Sequence, residues 1–148
     1  MPILDRRFAE LTATEVHDLL RLRIDVFVVE QECPYFEVDG RDVEEATRHV
    51  WQADHRGPTV YVRLLDDGTA RRIGRVVTRL DARKRGLAGG LVDHVVATSD
   101  GPWVLDAQSQ IADWYRARGF EPDGPEFIED GIPHIPMRRE RATSVVDD

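Results

Sequence analysis

A strand, a cationic glycine loop and a helix follow one another without interruption between Gly74 and Val96, and few folds accommodate that succession. Arg75 to Leu80 alternates Val77 and Arg79 with Val76, Thr78 and Leu80, a β-branched pattern that reads as a strand. Leu87, Leu91 and Val95 recur at the four-residue step of one helical face, flanked by Val92 and Val96. Between strand and helix lie Arg83, Lys84 and Arg85, then Gly86, Gly89 and Gly90. Glycine inside a helix costs about 0.8 to 1 kcal/mol against alanine, so something must offset it. The first turn of a helix carries unpaired N–H groups and a partial positive charge, and missing side chains let an anion reach both. A pyrophosphate fits this description, and so does a glycine turn with solvated arginines.

The rest of the 148 residues supply enough chain for one domain with its own core, expected over residues 1–139, with a disordered tail at 140–148. No apolar run approaches the roughly 18 residues of a membrane span, and the N-terminal residues lack the features of a signal peptide. With one cysteine, no disulfide is expected and a cytoplasmic location is the expectation. A net charge of −8 has the wrong sign for displacing counterions from nucleic acid. That charge is uneven. Arg71, Arg72, Arg75, Arg79, Arg83, Lys84 and Arg85 crowd one segment, and Glu30, Glu32, Glu37, Asp39, Asp42, Glu44 and Glu45 another. A basic site for an anion and an acidic site for a cation would give this pattern, as would two solvated faces.

In chain order, Ile3 to Leu11 reads as an edge strand, and Thr12 with Glu15 as a capping box opening a helix from Ala13 to about Val29. Glu30 to Arg48 has no clean period and reads as a long binding loop with one helical turn. Val50 to Asp54, Thr59 to Leu65 and Arg71 to Leu80 read as strands, with a hairpin at Asp67-Gly68 and a bulge or close approach marked by Gly74. After the glycine helix come a buried strand, Trp103 to Ala107, a helix capped by Ser109 and stopped at Gly119, a short strand from Phe120 to Pro122, and a hairpin across Asp130-Gly131. This order implies an α/β (α+β) fold, a mixed sheet of about six to seven strands with helices on both faces.

Neither Gly-x-x-x-x-Gly-Lys-Ser/Thr nor Gly-x-Gly-x-x-Gly is present. Arg83 to Ala88 instead fills Arg/Gln-x-x-Gly-x-Gly/Ala, and Tyr115 to Phe120 reads Tyr-x-x-x-Gly-Phe. Together these resemble the two signatures of the GNAT N-acetyltransferase superfamily. Phe27 through Gly40 and Glu129 through His134 narrow the resemblance to the ElaA-like subfamily, over nearly everything from Leu11 to Arg139. Lys84 departs from the glycine common there, and Leu80 from a common proline.

The resemblance implies acetyl-CoA as co-substrate, an amine acceptor that is a small molecule or peptide, and direct transfer in a monomer or homodimer. Val76, Val77 and Thr78 would pair with the pantetheine amides, Arg83, Lys84, Arg85, Gly86, Leu87, Ala88, Gly89 and Gly90 would hold the pyrophosphate, and Ser109 joins the cofactor-binding set. Tyr115 would protonate the leaving thiolate. Glu30 and His134 are the base candidates carried forward, with Glu129 and His49 behind them. A thiol nucleophile at Cys33 lacks support, and His49, His55 and His134 lack metal-ligand spacing. A coenzyme-binding module without transfer activity is the alternative.

Overall fold

A computed structural model describes residues 1–142, so most of the expected tail lies outside the described residues. Strand β1 (Leu4–Arg7) leads through a 3-10 turn to α1 (Ala13–Ile24). The capping box forms as expected: Glu15 N–H donates to the Thr12 hydroxyl at 3.1 Å and Thr12 N–H to the Glu15 carboxylate at 2.9 Å. The helix does not run on regularly to Val29. It widens into a π turn over Asp25–Glu30, the kind of irregularity that re-aims side chains near functional sites.

Strands β2 (Arg48–Asp54), β3 (Gly57–Asp66) and β4 (Arg71–Thr78) form an antiparallel meander, with α2 (Leu87–Ala97) crossing back to β5 (Trp103–Gln108). Helix α3 (Ala112–Arg116), β6 (Glu121–Pro122), β7 (Phe127–Glu129) and β8 (Ile132–Arg139) complete the chain. The sheet runs β1-β2-β3-β4-β5-β8-β6, with β7 on β8. It has 8 strands because the short pieces at 121–122 and 127–129 both pair with β8.

Alternation along β3 divides the core. Val60, Val62 and Leu64 meet Leu91, Val92 and Val95 of α2, while Tyr61 joins Trp51 and Val77 against Leu19, Leu22 and Val26 on the α1 side. Burying a side chain of this size contributes about 1.5–3 kcal/mol, so the three apolar residues of α2 outweigh the roughly 2 kcal/mol lost at Gly89 and Gly90.

Two details of β4 shape the site. The register with β3 slips so that Arg75 and Val76 together oppose Val62, and the bulge falls at Arg75, with φ 53, one residue beyond Gly74. On its other edge β4 pairs with parallel β5 only at Arg71/Trp103 and Arg72/Val104. Beyond those pairs the two strands separate, and the sheet is open between Ile73–Thr78 and Leu105–Gln108.

Candidate functional site

The glycine loop lies at the end of β4, where Lys84 (φ 63) and Gly86 (φ 74) both turn left-handed so that α2 starts at Leu87. The Gly90 N–H donates to the Gly86 carbonyl at 3.2 Å, which leaves the N–H groups of Leu87, Ala88 and Gly89 as the donors of the open first turn. Thr78, the segment Ala82 to Gly89, and Trp114 line a cavity of about 200 Å³ there. A Cβ added at Gly86 or Gly90 would meet nothing within 4 Å, so the backbone is approachable from outside.

Pairing sorts the seven cations of this segment. Arg71, Arg72, Arg75 and Arg79 are bound to carboxylates, and Arg83 grips Glu30 with both terminal nitrogens at 2.8 and 2.9 Å while its Nε donates to the Thr78 carbonyl. Among the described residues, Lys84 and Arg85 take no carboxylate partner. They add to the positive end of α2 as charges open to an incoming anion. The residues thus fit a pyrophosphate.

Of the strand residues expected to meet pantetheine, Val76 packs partly on the main core and Val77 is buried toward α1. Thr78 offers its carbonyl to Arg83. All three belong to the β4 edge that has parted from β5, where an extended ligand could take ladder positions left open.

Tyr115 sits in α3, 5% exposed, its ring edge-on to Trp114 at 4.8 Å and to Phe120 at 5.9 Å. The hydroxyl has no partner among the described residues, where the one fully buried polar side-chain atom without a partner is Arg63 Nε, so the tyrosine oxygen keeps contact with solvent. Burial pushes the phenol up to about 12, against a smaller opposing pull from the Arg118 charge. Ser109 does not cap α3: it opens a 3-10 turn, and its hydroxyl donates to Glu126 at 2.8 Å.

The base candidates separate on geometry. Glu30 ends the π turn, and the Arg83 guanidinium holds its carboxyl below the usual range. His134 lies on β8 opposite Gln108, stacked on Phe127 at 5.7 Å, with Nδ1 2.7 Å from the Ile132 carbonyl. A carbonyl only accepts, so Nδ1 carries the proton and the neutral ring has its lone pair at Nε2. Glu129 is exposed on β7. His49 is wedged between the Tyr61 hydroxyl (2.6 Å) and the Asp42 carbonyl (2.9 Å), and burial pushes its pKa down; both ring nitrogens are spent, which removes it as a base.

The acidic loop does not present its charge as the sequence suggested. Glu37 is buried and Tyr35 half-buried, while Phe36, 91% exposed, Val38 and Asp39 lie at the surface. Arg23, 1% exposed, binds Glu37 at 2.6 Å and Asp42 at 2.8 Å. Arg63 binds Asp39 at 2.9 Å and Asp42 at 3.2 Å. Arg75 reaches Glu37 at 3.0 Å and lies 5.6 Å over the Tyr35 ring, while the Tyr35 hydroxyl donates to Glu37. Burial would raise Asp39, yet Arg63 and the Arg41 N–H hold it down to about 2. Three carboxylates are matched by three guanidinium groups, and Glu44 by Arg41. Cys33 Sγ contacts the Asp130 carbonyl at 3.4 Å and Gln31 meets Gln108 at 3.3 Å, so this strap spans the open side of the sheet from the β7–β8 turn to β4. One signal for the network was readable: Arg63 interrupts an otherwise apolar run in β3.

A helix start that can receive an anion, set beside a sheet opened between parallel strands, is the arrangement of the GNAT fold. The family model described as an acetyltransferase (GNAT) domain matches residues 23–141, and the chain belongs to that family. It is 43% identical over 136 residues to the UPF0039 protein Rv2851c of Mycobacterium tuberculosis (strain ATCC 25618 / H37Rv), covering 88% of this chain and 87% of that one. The crystal structure of Escherichia coli ElaA matches with a TM-score of 0.89 and 34% identity over 95% of this chain and 100% of that one. That of an acyl-CoA N-acyltransferase from Pseudomonas aeruginosa matches with a TM-score of 0.88 and 38% identity over 94% and 99%.

Proposed function

We propose that the chain transfers the acetyl group of acetyl-CoA directly to an amine, with no acyl-enzyme. The observation that carries this reading is the placement of the open first turn of α2, with Lys84 and Arg85 beside it, at the end of a β4 edge released from β5. Bound there, acetyl-CoA would supply an activated thioester carbonyl. Arg85 to Gly90 and Lys84 neutralise the pyrophosphate, and the β4 edge at Val76 to Thr78 aligns the pantetheine and directs an N–H toward the thioester oxygen.

The C–N bond forms as the C–S bond breaks, and the ammonium nitrogen gives up two protons in all while the departing sulfur takes up one. The acceptor has to lose one before it attacks, and His134 suits this better than Glu30, because Nε2 has its lone pair available whereas the Glu30 carboxylate is bound by Arg83. Breakage of the C–S bond leaves a thiolate, and Tyr115 is the donor proposed for it. Its raised pKa keeps it protonated throughout the physiological range. A free thiol titrates near 8.5, so the phenol acts chiefly by donating a hydrogen bond as sulfur charge develops. The acceptor approaches past the strap, and of the seven acids from Glu30 to Glu45, Glu32 and Glu45 have no cationic partner among the described residues. Selection for cationic amines therefore rests on far less charge than the sequence suggests.

Thiol release from acetyl-CoA with polyamines, aminosugars, and lysine or N-terminal peptides tests the reading, alongside calorimetry with coenzyme A. Turnover with any amine supports it, and coenzyme binding without turnover supports a silent binding module. That second reading is favoured by the Glu30–Arg83 pairing, which ties up one base candidate.

A further inference from the structure

The helix start needs glycine at its cap, where φ is 74, but Gly89 has ordinary helical backbone and must be explained by its surroundings. A Cβ there would lie 1.9 Å from Arg118 Nη2 and 2.5 Å from its Cζ, whereas the same atom at Gly90 would meet nothing within 4 Å. The Arg118 guanidinium is thus seated in the space glycine leaves. Its Nη1 donates to the Gly89 carbonyl at 3.2 Å and to Asp93 Oδ1 at 2.9 Å, and its Cζ lies 4.5 Å over the Trp114 ring. Trp114 in turn lines the cavity at the glycine loop. Asp93 is the sole acid within α2, on the same helix as the N–H groups that would receive the phosphates. Unpaired, its charge would oppose an anion at that helix start.

We propose that Arg118 is a positioning residue for the anion site: it fixes the first turn of α2 through Gly89, cancels Asp93 and holds Trp114 as a wall. This interlocks the two motif segments, since Gly89 directly follows one and Arg118 lies within the other, and it rests on the coenzyme reading of the site. A planar, forked cation stacked on an aromatic ring is not replaced by lysine. Arg118 acts through the helix and needs no contact with the ligand.

The test separates phosphate from the rest of the coenzyme. Calorimetry would compare coenzyme A with S-acetyl-pantetheine, which has no phosphates, on the wild type, Arg118→Met, Arg118→Lys, Gly89→Ala and the double variant Gly89→Ala/Arg118→Met. Arg118→Met should weaken coenzyme A by about tenfold, the size of one helix-terminus charge effect, and leave the pantetheine ligand within about twofold. Gly89→Ala should act in the same direction by displacing the guanidinium. The double variant should be no worse than Arg118→Met, because the added methyl then displaces nothing. Arg118→Lys keeps a charge and a long stem should the methionine variant not fold, and it should show a smaller loss confined to coenzyme A. Unchanged coenzyme affinity in a folded variant, equal losses for both ligands, or additive losses in the double variant would overturn the proposal. A wild type that binds neither ligand overturns the coenzyme reading itself, a result visible before any variant is made.

Discussion

Replacing Tyr115 with phenylalanine isolates one proton from a buried ring. The substitution keeps both edge-on aromatic contacts, at 4.8 and 5.9 Å, and deletes a hydroxyl that has no partner among the described residues. No protein hydrogen bond is lost, so stability at pH 7 should change by no more than about 0.5 kcal/mol. Turnover should fall by about a hundred- to a thousand-fold, the range for a lost hydrogen-bond donor to developing charge, with coenzyme affinity unchanged. The phenol also ties stability to pH. Its folded pKa stands at about 12 against an ordinary 10, so the stabilisation is complete below pH 10 and disappears as pH rises through 12. At pH 11, midway through that range, wild type should have lost on the order of 1 kcal/mol that the phenylalanine variant keeps. Tyr35 and Tyr61 are also raised, first by burial, but they are common to both proteins and cancel in the comparison. Thiol release at pH 7 to 9 and urea unfolding at pH 8 and 11 measure the two effects. Wild-type turnover in the variant at every pH would refute the donor role, and an identical alkaline loss in both proteins would refute the burial argument.

Arg23→Met should cost about 3–5 kcal/mol in urea unfolding, because it leaves Glu37 and Asp42 buried without their shared cation. Gly86→Val should weaken coenzyme A strongly in a chain that still unfolds cooperatively. The Cβ meets no neighbour, so the penalty comes from forcing a β-branched residue to φ 74 and covering the approach to the backbone; unchanged affinity by calorimetry would sink the loop assignment. Glu30→Gln should release Arg83, tightening coenzyme binding several-fold and steepening its loss with salt, as a titration at two ionic strengths would show.

The sequence made the site's local parts readable and hid its long-range pairings. Gly86 at a helix cap, Thr12 with Glu15, Asp67-Gly68 and Gly119 are signals carried by a few adjacent residues, and each forms as expected. Ser109 shows where such signals fail: a hydroxyl that could cap α3 is taken by Glu126, 17 residues away. The π turn at Asp25–Glu30 has apolar residues that suit a regular helix equally well, so only tertiary packing distinguishes the two. The acidic loop misled for a related reason. Sequence gives the sign of Glu37, Asp39 and Asp42 but not that Arg23, Arg63 and Arg75, up to 38 residues away, fold onto them. Likewise Gly89 read as one more glycine for an anion, and only the 1.9 Å that would separate an added Cβ from Arg118 Nη2 shows what else its missing side chain leaves room for.

The strap from Gln31 to Val43 is moored to its scaffold by opposite charges, whereas the sheet beneath it is held by apolar burial. These two kinds of attachment respond to different solvents. Acid discharges the carboxylates without touching the valines of β3, and Asp39 keeps its charge down to about pH 2. Attachments of this kind make the strap a segment expected to loosen in acid before the packed sheet does. On the proposed function, acceptor preference would follow the salts and acidity around the strap, and coenzyme binding the packing of α2.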